Sequence, residues 1–251
     1  MADDGELDEL ILAGGLISTV VRVGDTVRRT PARQFVRRLL RLFERVDWSG
    51  APRLLGTDAA GRDVLSYLDG VVPWERPHAA DVRTEPAVRA AARLLREFHD
   101  LTAGSPLAGR HEVVCHNDVS PKNTVYRLDP TAAGDPVLVP IAFLDWDIAA
   151  PGDRLHDLAH LCWQFLGLEA PVADGPPGDD PLAVAVELLP VVCESYGEGV
   201  DRSRLIETVV WWQERCARGI RVLAARGDPP MTELVERGDR DGHRAGRAVG
   251  A

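Results

Sequence analysis

A His, an Asp and an Asn stand close together in the stretch VVCHNDVSPKNTVYR, at His116, Asp118 and Asn123, between two runs rich in valine. Interpreted as a strand–loop–strand hairpin, the stretch puts Asp118 and Asn123 on one loop, where both can act on one ligand. Asp145 ends the next predicted strand, IAFLD, and comes near Asn123 if that strand lies beside the hairpin. An amide oxygen and a carboxylate form the hard-oxygen site that Mg²⁺ prefers, with water and phosphate oxygens completing its shell.

Asp118 lies outside that pair and can accept a proton from an incoming hydroxyl group. This arrangement fits phosphoryl transfer, in which one Asp takes the hydroxyl proton while an Asn and a second Asp hold metal. Kinases have the pattern H-x-D-x-x-x-x-N, and this chain has HNDVSPKN, followed by Asp145 and by DLA at 157–159. Each residue alone would also fit the capping of a turn, but three at the correct spacing favour a site.

On these motifs the chain resembles the aminoglycoside phosphotransferase family, the bacterial antibiotic-kinase branch of the kinase-like fold. The specific match spans residues 113–161, and the order of elements extends it over most of the chain. The resemblance implies Asp118 as the catalytic base and Asn123 and Asp145 as Mg²⁺ ligands, with ATP as the phosphoryl donor.

The resemblance also implies three supporting residues. His116 supports the loop, and Asp157, in DLA, is the buried Asp that braces the loop from a helix. Asp147 stands where protein kinases have the Gly of D-F-G. It is either a support for the loop or a residue behind the metal ligands.

The pattern along the chain predicts an α+β protein with a small strand-rich lobe before a larger helical lobe, which matches the two-lobed protein-kinase-like fold. A hairpin is predicted at Thr19–Val23 and Thr26–Arg29, turning at Gly24-Asp25. A helix with one apolar face follows, and then two strands around a turn at Ala59–Gly61. A proline-rich segment after Leu68 indicates the boundary, giving a nucleotide-binding lobe at 1–68 and a catalytic and substrate-binding lobe at 69–251.

In the second lobe, Thr84 is expected to cap a helix, and TVYRL pairs with PVLVPIAFLD around the loop at 129–135. The pattern is helical from Leu155 onward. Further helices are predicted from Pro181 to Gly197 and from Asp201, as cap, to Gly227.

The chain departs from the kinase pattern in its first lobe, because its single Lys is Lys122 and the usual N-lobe Lys is therefore missing. Arg28 and Arg29 are the candidates for its place. Only one of them can face the cleft, because successive strand residues point to opposite faces, and Arg28 is favoured. Glu44, on the next helix, would be its partner. Alternatively, both arginines and Glu44 are surface residues, and metal and backbone hold the phosphates.

The nucleotide contacts predicted in the first lobe are mostly backbone contacts. Gly14-Gly15 precedes a strand without forming a full G-x-G-x-x-G, and the N–H groups near Ile17–Thr19 could cover the phosphates. The adenine would lie against LSYLDG, where the backbone of Ser66 and Leu68 could pair with its edge, unless this is an ordinary edge strand. Lys122 could reach a phosphate but also suits a solvated loop.

The net charge of −10 argues against nucleic-acid and anionic-membrane partners, and no apolar run is long enough to span a bilayer. Four separate cysteines without a C-x-x-C fit a reduced, cytoplasmic protein, expected to be a monomer or a homodimer. The acidity would suit a cationic substrate, although a solvated acidic surface is the more ordinary explanation. Acidic residues after the core, Glu169, Asp174, Asp179 and Asp180, belong to a loop that reaches the cleft or is only solvated.

These observations favour an ATP- and Mg²⁺-dependent small-molecule kinase, with an aminoglycoside or related amino-sugar as acceptor and a role in antibiotic resistance. Alternatives are a kinase of another hydroxylated metabolite, such as choline, homoserine or a macrolide, and a nucleotide-binding pseudokinase. A third is a metal hydrolase built on His116, Asp118, Asp145 and His156, although HDLAH lacks the Glu of H-E-x-x-H.

Overall fold

The computed structural model describes residues 10–12, 20–73, 82–129, 137–168 and 181–236. Its strands, in chain order, are β1 (Leu10–Ile11), β2 (Val21–Val23), β3 (Thr26–Arg29), β4 (Leu54–Thr57), β5 (Asp63–Ser66), β6 (Val113–Cys115), β7 (Thr124–Asp129), β8 (Val137–Phe143) and β9 (Ala150–Gly152). Its helices are α1 (Gln34–Arg45), α2 (Glu85–Thr102), α3 (Arg154–Leu166), α4 (Pro181–Tyr196) and α5 (Arg202–Ala225), with a 3₁₀ turn at Pro121–Asn123.

The first five strands form one antiparallel sheet in the order β1-β2-β3-β5-β4. The predicted hairpin is confirmed as β2 and β3, and Gly24 supplies the positive φ, 59°, that its turn needs. The strands on either side of Ala59–Gly61 are confirmed as β4 and β5. Helix α1 lies near β4 and buries the side chains of one face, Val36, Leu39, Leu40 and Phe43.

The other four strands form two separate pairs, β7 with β8 and β6 with β9. The pairing of β7 with β8 confirms the prediction, although residues 130–136 between them lie outside the described part. The predicted hairpin of the two valine-rich runs is wrong, because β6 pairs with β9 and β7 pairs with β8. Strand β9 contains Pro151, and the sequence pattern does not predict a strand there because a proline within a short run argues against one.

The helices begin where the caps predict. Thr84 Oγ1 accepts a hydrogen bond from Ala87 N–H at 3.4 Å, and Asp201 Oδ1 accepts from Ser203 N–H at 3.0 Å. Helix α2 is central, because it contacts α3, α4, β6 and β8. Among the described residues, no helix combines the length and apolarity needed to cross a membrane.

An aromatic cluster joins α1 to the helical part. Phe43 of α1 lies 5.0 Å from Trp146 between ring centroids, and Phe98 of α2 lies 4.8 Å from Trp146. The connection between the two parts is also fixed, since Val71 and Tyr126 exchange backbone hydrogen bonds at 2.8 Å. A Cβ at Gly70 would lie 2.5 Å from the Tyr126 carbonyl oxygen, so only glycine fits there. Trp146 follows Asp145 directly, and the cluster therefore positions that carboxylate.

Candidate active site

The loop between β6 and β7, residues 116–123, is here called the catalytic loop, and His116 is its buried anchor. His116 Nε2 lies 2.8 Å from Leu144 O, and its Nδ1 accepts from Asp118 N–H at 3.3 Å. A carbonyl oxygen only accepts, so Nε2 carries the proton and Nδ1 is the acceptor. The imidazole therefore connects Asp118 to the strand end that precedes Asp145, which suits the supporting role predicted for His116.

Asp157, in α3, holds the start of the catalytic loop. Its Oδ2 accepts from His116 N–H at 2.6 Å and its Oδ1 accepts from Asn117 N–H at 2.8 Å. His99 Nε2 lies 3.1 Å from Oδ2, and Tyr196 Oη lies 2.6 Å from His99 Nδ1. Burial alone would raise the pKa of Asp157, but the hydrogen bond from His99, the electrostatic interactions with His99 and His116 and the backbone hydrogen bond from His116 lower it overall. An ionised, buried carboxylate thus braces the loop from a helix, as the resemblance implies.

The two oxygens of Asp118 have different surroundings. Oδ2 accepts from Asn123 Nδ2 at 2.7 Å, and Lys122 Nζ lies 3.6 Å from the same oxygen. Oδ1 faces His160 Nε2 at 4.0 Å, which is beyond hydrogen-bond distance. Within the described part of the chain, Oδ2 is therefore held in place while Oδ1 can take up a proton.

Asn123 and Asp145 meet at the end of β8. Asn123 is buried, and its amide N–H groups go to Asp118 Oδ2 and to Asp118 O at 3.0 Å, which leaves its Oδ1 as an acceptor. Leu144 N–H donates to Asn123 O at 2.7 Å, and this contact brings the next residue, Asp145, alongside. Asp145 has a φ of 57°, an uncommon value for a residue other than glycine.

The charges at this point suit a divalent cation. Burial, and next the carboxylate of Asp147, raise the pKa of Asp145 above its ordinary value. Asp147 Oδ1 is buried without a hydrogen-bond partner among the described residues. An Asn oxygen and a carboxylate beside one unpaired oxygen of a second carboxylate form the donor set that Mg²⁺ takes. The residues predicted as metal ligands therefore fit that ion chemically.

The structure corrects the choice of arginine in the first lobe. Arg29 lines the cleft and forms an ion pair with Asp147. Arg28 lies on the other face of β3, where its Nε is 3.8 Å from Asp58 Oδ2. The preference for Arg28 is wrong because the pairing of β3 between β2 and β5 decides which face points inward, and sequence alternation cannot. The predicted partner Glu44 is exposed at the end of α1 and does not pair with either arginine.

The cleft is a cavity of about 390 Å³ between the first sheet and the catalytic loop. Apolar side chains of β3, α1 and β5 cover one side, and Asn123 and Asp145 stand on the other. Ser66 and Leu68 both line it, but Ser66 N–H already donates to Arg53 O at 3.0 Å. That donor is not available to an adenine edge, which corrects part of the prediction.

Two predicted features cannot be compared with the structure. The glycine pair at 14–15 and the backbone near 17–19 lie outside the described residues, as does the acidic loop at 169–180.

The alternative metal hydrolase is not supported. His156 stacks on Trp211 with ring centroids 5.3 Å apart, whereas His116 is bound to Leu144 O in the interior. Among the described residues, the group with metal-ligand spacing is His99, Cys115 and Asp157. Both oxygens of Asp157 already accept hydrogen bonds, and burial raises the pKa of the Cys115 thiol. This group is therefore a structural core.

Pattern analysis missed several residues of the site. His99 lies 58 residues before Asp157, with which it shares a hydrogen bond, and its place in an apolar helix face gives no signal of this. His160 is buried, lies opposite Asp118 Oδ1, and contacts Val119 O at 3.0 Å through Nδ1. Its position three residues after Asp157 on α3 could have indicated this.

Comparisons with known proteins agree with this geometry. Residues 105–175 match the family model described as the phosphotransferase enzyme family. This segment includes the catalytic loop, Asp145 and Asp157, so the resemblance inferred from the motifs is confirmed. A relative, the trifolitoxin immunity protein of Rhizobium leguminosarum bv. trifolii, is 31% identical over 178 residues. The alignment covers 62% of this chain and 61% of the relative, so the chain matches about three fifths of that protein's length.

Solved structures match over most of the chain. Aminoglycoside 2'-phosphotransferase-IIIa, in its GDP complex, gives a TM-score of 0.62 at 15% identity and covers 97% of this chain and 95% of its own. Aminoglycoside phosphotransferase APH(3'')-Id from Streptomyces rimosus, in complex with ADP and streptomycin, gives 0.54 at 17% identity and covers 82% and 92%. At such low sequence identity the structural similarity shows the fold alone. The predicted two-lobed kinase-like fold is confirmed.

Proposed function

We propose that the protein is an ATP-dependent small-molecule kinase that transfers the γ-phosphoryl group to a substrate hydroxyl. The observation that carries this proposal is the meeting of Asp118, Asn123 and Asp145 beside one cavity. Asn123 bonds Asp118 at 2.7 Å and is connected through Leu144 to Asp145. The base and the metal ligands are thus close enough to act on one phosphoryl group, as transfer in kinases requires.

Asp118 acts as the base in this proposal. The substrate O–H bond breaks as its proton moves to Asp118 Oδ1, and the substrate oxygen bonds to the γ-phosphorus. The bond from that phosphorus to the bridging oxygen breaks, and ADP leaves. Mg²⁺ held by Asn123 and Asp145 would neutralise phosphate charge during this step. The remaining contribution is orientation, since His116 and Asp157 hold the loop that carries Asp118.

The nucleotide occupies the cavity between the two lobes, with residues 1–68 covering it and residues 69–251 supplying base, metal ligands and substrate contacts. Among the described residues of the first lobe, Arg29 is the cation that faces this space. The apolar lining from β3, β5 and α1 suits the flat face of a base. A kinase that uses ATP in this way would work in the cytoplasm.

An aminoglycoside or a related amino-sugar is the proposed acceptor class, with protection against an antibiotic as the role. Support comes from the net charge of −10, which favours a polycation, and from the similarity to a protein named for immunity to trifolitoxin. One structure of the same fold was solved with streptomycin. Other hydroxylated metabolites, such as choline, homoserine or a macrolide, are the alternative acceptors.

A second candidate is a nucleotide-binding pseudokinase, which the missing N-lobe Lys favours. The two candidates differ in whether phosphorylated product forms. Mass spectrometry of reactions that contain the protein, Mg·ATP and a panel of aminoglycosides and hydroxylated metabolites tests this. A product heavier by one phosphoryl group supports the kinase. ATP binding without product across the panel would favour the pseudokinase, and absence of nucleotide binding would reject both.

A further inference from the structure

Few cations line the nucleotide cavity. Within the described part of the chain, the basic side chains that reach it are Arg29 and Lys122. Arg29 is already engaged, because its guanidinium forms the ion pair with Asp147. A nucleoside triphosphate carries several negative charges, and kinases place a basic side chain on its phosphates in addition to the metal. Lys122 is the remaining basic side chain at this surface.

Lys122 stands where the cavity meets the catalytic base. It belongs to the 3₁₀ turn at Pro121–Asn123, one residue before the predicted metal ligand. Its Nζ lies 3.6 Å from Asp118 Oδ2, while its side chain also lines the cavity and is half exposed. A phosphoryl group that moves from a nucleotide in the cavity to a hydroxyl at Asp118 must cross this boundary.

We infer that Lys122 binds the γ-phosphate from the side of the catalytic loop and adds a cation at the phosphate end of the cavity. This inference rests on the proposed kinase function. An ammonium group has three N–H donors, so Lys122 can contact Asp118 and still offer two donors to phosphate oxygens. Its flexible stem allows the charge to follow the phosphoryl group during transfer. The positive charge on the γ-phosphate thus comes from the catalytic loop, where the acceptor hydroxyl binds, rather than from the first sheet, which covers the adenine.

A plain ion pair between Lys122 and Asp118 would have no such effect. A half-exposed pair of this kind contributes little to stability, and it would not distinguish nucleotides that differ only in the γ-phosphate. A cation on the γ-phosphate must bind the triphosphate more strongly than the diphosphate. This difference separates the two roles without measuring catalysis.

The test uses the full chain and its Lys122→Met, Lys122→Arg and Arg28→Met variants. Calorimetry gives the Kd of each for Mg·ADP and for a non-hydrolysable Mg·ATP analogue. We expect Lys122→Met to weaken the ATP analogue by about tenfold to a hundredfold with ADP changed little, because hydrogen bonds to charged groups carry that much affinity. Lys122→Arg, which keeps the charge, should retain most of the preference. Arg28→Met removes a first-lobe cation outside the cavity and should match the original protein.

Equal loss for both nucleotides, or no loss, in a Lys122→Met protein that keeps its melting temperature overturns the inference. If the original protein phosphorylates a substrate and Lys122→Met is indistinguishable from it, only this inference falls. If the original protein binds neither nucleotide, the proposed kinase function falls as well.

Discussion

The catalytic loop and the first sheet both hold charged side chains at the cleft, but different interactions keep each region in place. Strand β6, which precedes the loop, is fully buried, and His116 and Asp157 satisfy the loop's backbone from the interior. Strand β3, which carries Arg29, is only partly buried along its whole length and is held by backbone pairing with β2 and β5. The loop depends on particular side chains, whereas the strand depends on its position in a sheet.

This difference explains why the sequence pattern identifies the residues of the catalytic loop but does not identify the cation of β3 that faces the cleft. A buried polar group without a partner costs free energy, so residue types around the catalytic loop are closely restricted. A strand at the cleft only has to present a side chain on the correct face, and β3 presents Arg29 there. The largest effects of substitution are therefore expected in the loop and the smallest at the surface of the first lobe.

Asp118→Asn should have the largest effect on activity. We expect phosphoryl transfer to fall by about a hundredfold to ten-thousandfold, because the amide cannot accept the hydroxyl proton. Steady-state kinetics with a phosphorylated substrate from the panel would measure this. Asp153→Asn, at an exposed carboxylate before α3, is the matched control and should keep full activity. Activity of the Asp118→Asn variant within a few fold of the original would remove Asp118 from the role of base.

Asp157→Asn should have the largest effect on stability. The change takes a negative charge from three donors in the interior, and we expect the free energy of unfolding to fall by about 3 kcal/mol. Urea unfolding followed by tryptophan fluorescence would measure it. Glu85→Gln removes an exposed partner of Arg89 at the start of α2 and should cost less than about 1 kcal/mol. Equal losses in the two variants would contradict the distinction between loop and surface.

The difference in stability between the original protein and Asp157→Asn should depend on pH. The folded-state pKa of Asp157 is lowered, so its ionised form stabilises the protein above the unfolded pKa of about 3.9 and this contribution is lost as pH falls toward the folded pKa. The stability difference between the original protein and Asp157→Asn should therefore be full near neutral pH. It should shrink below pH of about 4. A constant difference across unfolding curves at several pH values would mean that the carboxylate charge has no part in it.

In the first lobe, Arg29→Met and Arg28→Met form a matched pair on adjacent strand residues. We expect Arg29→Met to weaken nucleotide binding by about tenfold, since a charged hydrogen-bond donor leaves the cleft. Arg28→Met should bind nucleotide normally, because its guanidinium faces Asp58. Titration with a fluorescent ADP analogue would compare them, and the reverse order would restore the prediction made from the sequence.

Glu44→Gln should have the smallest effect of all. The side chain is exposed and makes no ion pair with Arg28 or Arg29. We expect the free energy of unfolding to stay within about 0.5 kcal/mol and the nucleotide Kd to stay unchanged. Thermal melts with and without Mg·ADP test both. A clear loss of nucleotide binding would show that Glu44 reaches the cleft after all.

The sequence by itself determined the features that depend on neighbours in the chain. The spacing of His116, Asp118 and Asn123 predicts one polar loop, and the caps at Thr84 and Asp201 predict where two helices begin. These signals are local, because a cap or a loop motif acts within a few residues. The fold class followed from the same kind of evidence, since a strand-rich half precedes a helix-rich half.

Tertiary structure decided what depends on residues that are far apart in the chain. The pairing of β6 with β9, the inward direction of Arg29 and its contact with Asp147 follow from how strands and lobes pack. The bond between His99 and Asp157 joins two helices and has no spacing that a pattern could detect. Strand alternation restricts the cleft cation to one of two arginines, but only the sheet's packing chooses the face. The catalytic loop could therefore be predicted from residues that are neighbours in the chain. The geometry of the cleft could not, because it depends on contacts between distant residues.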